Sequence, residues 1–203
     1  EQIRNSIGYP HLNVKIGASH AGISVGEDGA THQCNEDIAL MRTIPGMTVV
    51  VPADDAEAYA ATRCAYETDG PFYLRTGRLA APVINDPETY EFELGRAIVM
   101  REGTDVSIVA CGLMVSAALE AAEALEAEGV SAEVINMHTI KPLDADTLVA
   151  SASKTGLRSH GRGALHRGRP GRGVRRRPVR ALPGAHAPRG RARRVRRVRP
   201  RPR

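Results

Sequence analysis

The stretch Gly17–Asn35 reads GASHAGISVGEDGATHQCN, and it decides how the chain around it folds. It holds His20, His32, Glu27, Asp28 and four glycines, with no aromatic residue. Two apolar, β-branched runs flank it, Leu12–Ser19 and Met47–Val51. A polar loop of this length between buried segments is usually functional or disordered. The glycines favour a shaped loop, because Gly tolerates positive φ and close approach of backbone to a ligand. The loop therefore reads as one wall of an active site.

Working outward, Glu1–Ile7 looks like the tail of a helix, closed by Gly8 and Pro10. The chain begins without Met in a helix already under way, and the expectation is a truncated start. Leu12–Ser19 reads as a strand. After the loop, Asn35 is the expected cap of a helix that carries Glu36 and Asp37 in its first turn and stops near Ile44-Pro45-Gly46. Met47–Val51 is a continuous apolar run of the kind buried on both faces of a parallel sheet. Asp54-x-x-Glu57 resembles a capping box and opens an Ala-rich helix to Glu67. Pro71–Leu74 is a further short strand. This alternation of strand and helix predicts βαβ units and an α/β fold around a parallel sheet.

Residues 81–89 read as a linker, rich in proline and without periodicity. A second α/β unit follows over 90–156. Glu91–Met100, Asp105–Cys111 and Ala132–Met137 look like strands. Met114–Glu128 is a helix with Val115, Ala118, Leu119, Ala122 and Leu125 on one face and Gly129 at its end. Asp144 can cap a helix running to about Lys154.

Charge divides the chain sharply. Residues 1–156 carry net −13, whereas residues 157–203 hold 18 Arg with no Lys and no acid. Eight residue types make up that last segment, and its dominant Arg, Gly, Pro and Ala all have codons beginning with two G/C bases. GC-rich coding DNA read out of frame gives such text. Codons straddling the printed ones are compatible with Thr-Ala-Glu-Glu-His across His160–Leu165 and with a glycine-loop text, Ile-Val-Gly-Gly-Leu-Gly-Gly-Ala, across His166–Val174. The segment is therefore expected to be a frameshifted, disordered tail. The competing reading is a genuine basic arm that binds nucleic acid nonspecifically, although it lacks aromatic residues for base stacking. Three widely spaced cysteines, Cys34, Cys64 and Cys111, favour reduced thiols and a cytosolic protein. No apolar run reaches the ~20 residues of a membrane span.

The chemistry sits in the central loop. Imidazole both accepts and donates protons near neutral pH, so His20 and His32 are candidate acid–base groups. Asp28 could orient a ring or hold a substrate hydroxyl. Arg78 follows a strand end, where parallel sheets place ligand loops, and its guanidinium suits a phosphate. No compact metal-ligand spacing, P-loop, G-x-G-x-x-G or Ser elbow is present.

At these residues the text resembles a known family. ASHAGISVGEDGATHQ followed by EDIALMRTIPGMTVVVPAD is similar to the pyrimidine-binding domain of transketolases, and most of all to the C-terminal subunits of split transketolases. GPFYLRTGR (Gly70–Arg78) and VINMHTIKPLD (Val134–Asp144) extend the likeness into the transketolase C-terminal domain. The resemblance covers about residues 1–156. It implies a partial pyrimidine-binding domain over 1–80 and a partial C-terminal domain over 90–156. It further implies a transferase of carbohydrate metabolism that moves a two-carbon ketol unit between sugar phosphates of the pentose phosphate type, with thiamine diphosphate supplying the carbanion chemistry. By position in the motif, His32 and His20 would be catalytic. His20, Asp28 and Arg78 would bind substrate. Gly26, Glu27 and Gly29 would shape the loop. The diphosphate and its divalent metal, Mg or Ca, would be held by an N-terminal-section partner subunit in a larger oligomer. This chain alone is accordingly expected to be inactive. Other enzymes of the same fold, a 2-oxo acid dehydrogenase β subunit or a deoxyxylulose phosphate synthase, are the alternatives; GEDGATHQ with its paired histidines favours transketolase.

Overall fold

Val49 and Val50 point to opposite sides of one short strand, and both are fully buried. That is the mark of a strand covered on two faces, and it places the middle of the first sheet. The computed structural model describes residues 1–155; the Arg-rich segment 157–203, read above as out-of-frame and disordered, lies outside them. The strands of the first half are β1 (Lys15–Ala18), β2 (Thr48–Val50) and β3 (Phe72–Arg75), with helices α1 (Asp37–Thr43) and α2 (Asp55–Glu67) between them. The second half contains β4 (Ile98–Arg101), β5 (Val106–Ala110), α3 (Met114–Ala127), β6 (Ala132–Asn136), β7 (Thr139–Lys141) and α4 (Ala145–Thr155).

The first sheet has the order β1-β3-β2-β7, with β1, β3 and β2 parallel. The second has the order β4-β6-β5, with β5 and β6 parallel. Each sheet carries one antiparallel edge strand, β7 and β4. One face of the first sheet packs Ile44, Met47, Val49 and Tyr73 against Ile3 and Ile140. Its other face packs Val50 and Phe72 against Ala61 and Ala65 of α2. The second sheet is covered by α3 through Val115, Ala118 and Ala122.

Several expectations need correction. The helix after the loop begins at Asp37, its cap is Glu36, and no side chain caps it, so Asn35 does not serve. Asp37 is buried and accepts from Tyr73 Oη at 2.8 Å and from Arg75 at 2.6 and 3.1 Å. Burial alone would raise its carboxyl; the hydrogen bonds from Arg75 and Tyr73 carry it below the usual carboxylate value. Residues 91–97 are not strand. Their alternating Phe92 and Leu94 pack onto the α2 face of the first sheet instead of joining a ladder, and Gly95 at φ +83° breaks the run before β4. The strand β7 was not expected at all.

The two halves meet at a buried polar joint. Asp54 accepts from Glu57 N at 2.9 Å, as a cap should, and also from Ile84 N and Asn85 N at 2.8 Å. The Glu57 carboxylate reaches back to Ala53 N at 2.6 Å, one residue before the cap, and takes both a hydrogen bond from Tyr90 Oη and one from Asn136 Nδ2 at 2.9 Å. Beside it, His138 is fully buried and lies against the Phe92 ring, with centroids 4.5 Å apart. Burial lowers the His138 pKa from 6.5 to about 4, so the ring is neutral in the fold. Unfolded imidazole titrates near its ordinary value. The stability this neutral ring contributes is therefore fully present above about pH 6.5 and is lost as pH falls through about 4. Between pH 7 and pH 5 the loss should be about 2 kcal/mol. Denaturant unfolding of the native chain and of His138→Phe at both pH values checks this: the substitution should remove that loss, and parallel pH profiles would refute it.

Candidate functional site

The Gly17–Asn35 loop is held at three places. At its neck, Gly22 and Cys34 form an antiparallel bridge, with N–O distances of 2.8 and 3.1 Å. In its middle, Val25 is fully buried and anchors the chain. At its far end Arg75, already tied to Asp37, donates to Cys34 O at 3.3 Å. Polar side chains are thereby displayed on a fixed backbone, as an active-site wall requires.

His20 is exposed and sits at φ +62°, a left-handed conformation uncommon outside glycine. Its Nδ1 lies 3.0 Å from Ser19 Oγ. His32 ends a short 3₁₀ turn, Ala30–His32, and is likewise exposed, with Nδ1 3.1 Å from Thr31 Oγ1. In both residues a neighbouring hydroxyl engages Nδ1. Nε2 has no partner among the described residues.

Asp28 and Arg78, fifty residues apart, are brought together: Arg78 Nε stands 2.8 Å from Asp28 Oδ2. Glu27 Oε1 lies 2.8 Å from Arg78 Nη2. Gly26, at φ +63°, completes the clasp, because a Cβ there would stand 3.2 Å from Arg78 Nη1. Of the two arginines at the end of β3 and just beyond it, Arg75 is thus committed to the fold and Arg78 belongs to the loop. Glu27 does more than shape the loop, because it shares the guanidinium. Gly29 turns the chain at φ +73° between the 3₁₀ turns Gly26–Asp28 and Ala30–His32.

A cleft of about 440 Å³ opens beside the loop, between the two halves, and sequence reasoning missed it. Its walls come from the carboxyl ends of β2, β3 and β5, and include Ile23, Asp54, Arg75, Cys111 and Met114. Neither His20, His32, Asp28 nor Arg78 lines it. No local signal marks it, because it exists only where two sheets meet.

Two family descriptions match the chain: "Transketolase, pyrimidine binding domain" over residues 1–83 and "Transketolase, C-terminal domain" over residues 95–179. The chain belongs to the transketolase family. It is 47% identical over 156 residues to a 6-deoxy-6-sulfo-D-fructose transketolase subunit of Clostridium sp. (strain MSTE9), covering 77% of this chain and 48% of that one. It is 46% identical over 152 residues to a putative transketolase C-terminal section of Methanocaldococcus jannaschii, covering 74% and 48%. Among solved structures it resembles a split-gene transketolase described as an inactive β4 tetramer, with TM-score 0.71, 52% identity, and coverage of 77% and 50%. The chain spans about half the length of the curated relatives it matches. Membership in the transketolase family implies thiamine diphosphate as cofactor. The loop presents two exposed imidazoles and the Asp28–Arg78 pair. A full cofactor site is not matched here: the loop has no aromatic residue to stack a ring, and among the described residues no group of His, Cys, Asp or Glu is arranged for a metal. No helix among the described residues is long and apolar enough to cross a membrane.

Proposed function

We propose that this chain is part of the C-terminal section of a split transketolase that transfers a two-carbon ketol unit between sugar phosphates. The observation that carries the reading is the 2.8 Å contact joining Asp28 to Arg78, which brings a cation to the loop that carries that carboxylate and two exposed imidazoles. A ketose phosphate needs such a set: a cation for its anionic end, an acceptor for its hydroxyls, and groups that carry protons to and from its oxygens. In this reading Arg78 holds the anionic end, Asp28 accepts from a sugar hydroxyl, and His20 faces the substrate. His32 moves the proton at the substrate oxygen through its free Nε2. Thiamine diphosphate, when bound, supplies the carbanion chemistry. The diphosphate and its divalent metal belong to an N-terminal-section partner, and the working enzyme is an oligomer of both sections. The free Cys34, Cys64 and Cys111 accord with a reducing, cytosolic setting.

The test is reconstitution. The chain, completed to the length of its relatives, is combined with an N-terminal section, thiamine diphosphate and Mg²⁺, and ketol transfer from a pentose phosphate is measured. Arg78→Ala should raise KM for phosphorylated sugars about 10- to 100-fold, with a much smaller change in kcat, because the lost contact serves substrate and transition state alike. A complex inactive on every phosphorylated ketose overturns the reading.

A further inference from the structure

The Arg78 guanidinium is paired with two carboxylates without any ligand. Nη2 donates to Glu27 Oε1 at 2.8 Å, Nε stands 2.8 Å from Asp28 Oδ2 as an ion pair that makes no aligned hydrogen bond, and a Cβ at Gly26 would crowd Nη1. The two acids are not equivalent. The Asp28 side chain is 31% exposed and Arg78 28%, whereas Glu27 is 84% exposed. An ion pair to so exposed a carboxylate is weak, because water solvates both the open and the closed state. The shielded Asp28 contact is the more persistent. It keeps a negative charge beside Nε and leaves the Nη edge, whose hydrogen bond goes to the exposed Glu27, as the exchangeable one. That edge matches an oxyanion in the same fork geometry that it now offers to Glu27.

We infer that Glu27 is a specificity-determining counter-carboxylate, which occupies Arg78 in the free protein and is displaced from Nη2 by a dianionic oxyanion of the phosphate type. This rests on the reading of Arg78 as the holder of the substrate's anionic end. Asp28 stays in place during the exchange and keeps the guanidinium aimed. Glu27 then makes the loop selective. A weakly charged or neutral sugar does not offset the lost ion pair, and a dianion does. Placing Glu27 directly before Asp28, after a glycine at positive φ, lets one turn present both carboxylates to one guanidinium.

The test needs no turnover. Inorganic phosphate is titrated into the full 203-residue chain while the Nε–Hε signal of Arg78, assigned by its loss in Arg78→Lys, is followed by NMR. Phosphate should move that signal and leave the Arg75 Nε signal, held by Asp37, in place. In Glu27→Gln and in Glu27→Ala the midpoint should fall by about three- to tenfold, the size expected when a weak surface competitor is removed. The inference is overturned by a midpoint unchanged in both variants, by an Arg78 signal that phosphate never moves, or by sodium chloride at matched ionic strength giving the same shift. An inactive reconstituted enzyme would overturn the catalytic reading and leave this exchange standing.

Discussion

Alanine in place of His32 should lower kcat of the assembled enzyme by about 10²- to 10³-fold while leaving KM within about threefold. The side chain is exposed, and among the described residues its one hydrogen-bonding contact is the Thr31 hydroxyl on Nδ1. Nothing in the fold leans on it, so thermal unfolding should be unchanged. The effect would be confined to the proton that Nε2 carries. Removing one positioned acid–base group typically forfeits that range of rate. His20→Ala is the instructive companion, because a residue that faces the substrate should raise KM as well. Turnover within threefold of the unaltered complex for His32→Ala would remove His32 from the chemistry.

The second large effect concerns stability. Glu57→Ala should destabilise the chain by about 3–5 kcal/mol in denaturant unfolding. Glu57 is fully buried and serves donors from Ala53, Tyr90 and Asn136, which come from α2's entrance, the segment before β4, and β6. Truncation strands the Ala53 and Asn136 donors away from water and leaves the half-buried Tyr90 hydroxyl without its partner. Burial pushes the Glu57 carboxyl upward, while the hydrogen bonds from Tyr90, Ala53 N and Asn136 oppose the rise. Glu57→Gln keeps the volume but faces donors with a donor, so it should fall between the two. A loss below about 1 kcal/mol for the alanine variant would show that water enters the joint and repairs it.

The fate of Asp54 and Glu57 shows what a sequence discloses. The D-x-x-E spacing announced a helix start, and the cap formed as read. The reciprocal bond went to Ala53, and the same carboxylate found Asn136, 79 residues away. Local spacing fixes local geometry; it carries no record of which distant strand will supply the remaining donors. The periodicity of α3 was legible because Val115, Ala118 and Ala122 recur on one buried face. By contrast β7 is three residues long, too short for any period, and its partners Val49 and Val50 lie some ninety residues earlier. Glu91–Met100 misled because alternation reports one buried face without saying what covers it, and Phe92 and Leu94 achieve burial as packing rather than pairing. The loop residues were legible as a motif, yet their clasp on Arg78 was not, since ion pairing across fifty residues leaves no trace in spacing.

The edge strand β7 has a consequence for inheritance. Thr139–Lys141 borrows its ladder from β2, and Lys141 Nζ also donates to Arg42 O at 3.1 Å and Ile44 O at 2.5 Å. A recombination event that cut the gene within residues 81–89 and gave either half a new neighbour would bare a hydrogen-bonding edge on one product and orphan a strand on the other. The two halves are therefore expected to be exchanged together rather than singly, whatever the composition of the segment between them suggests.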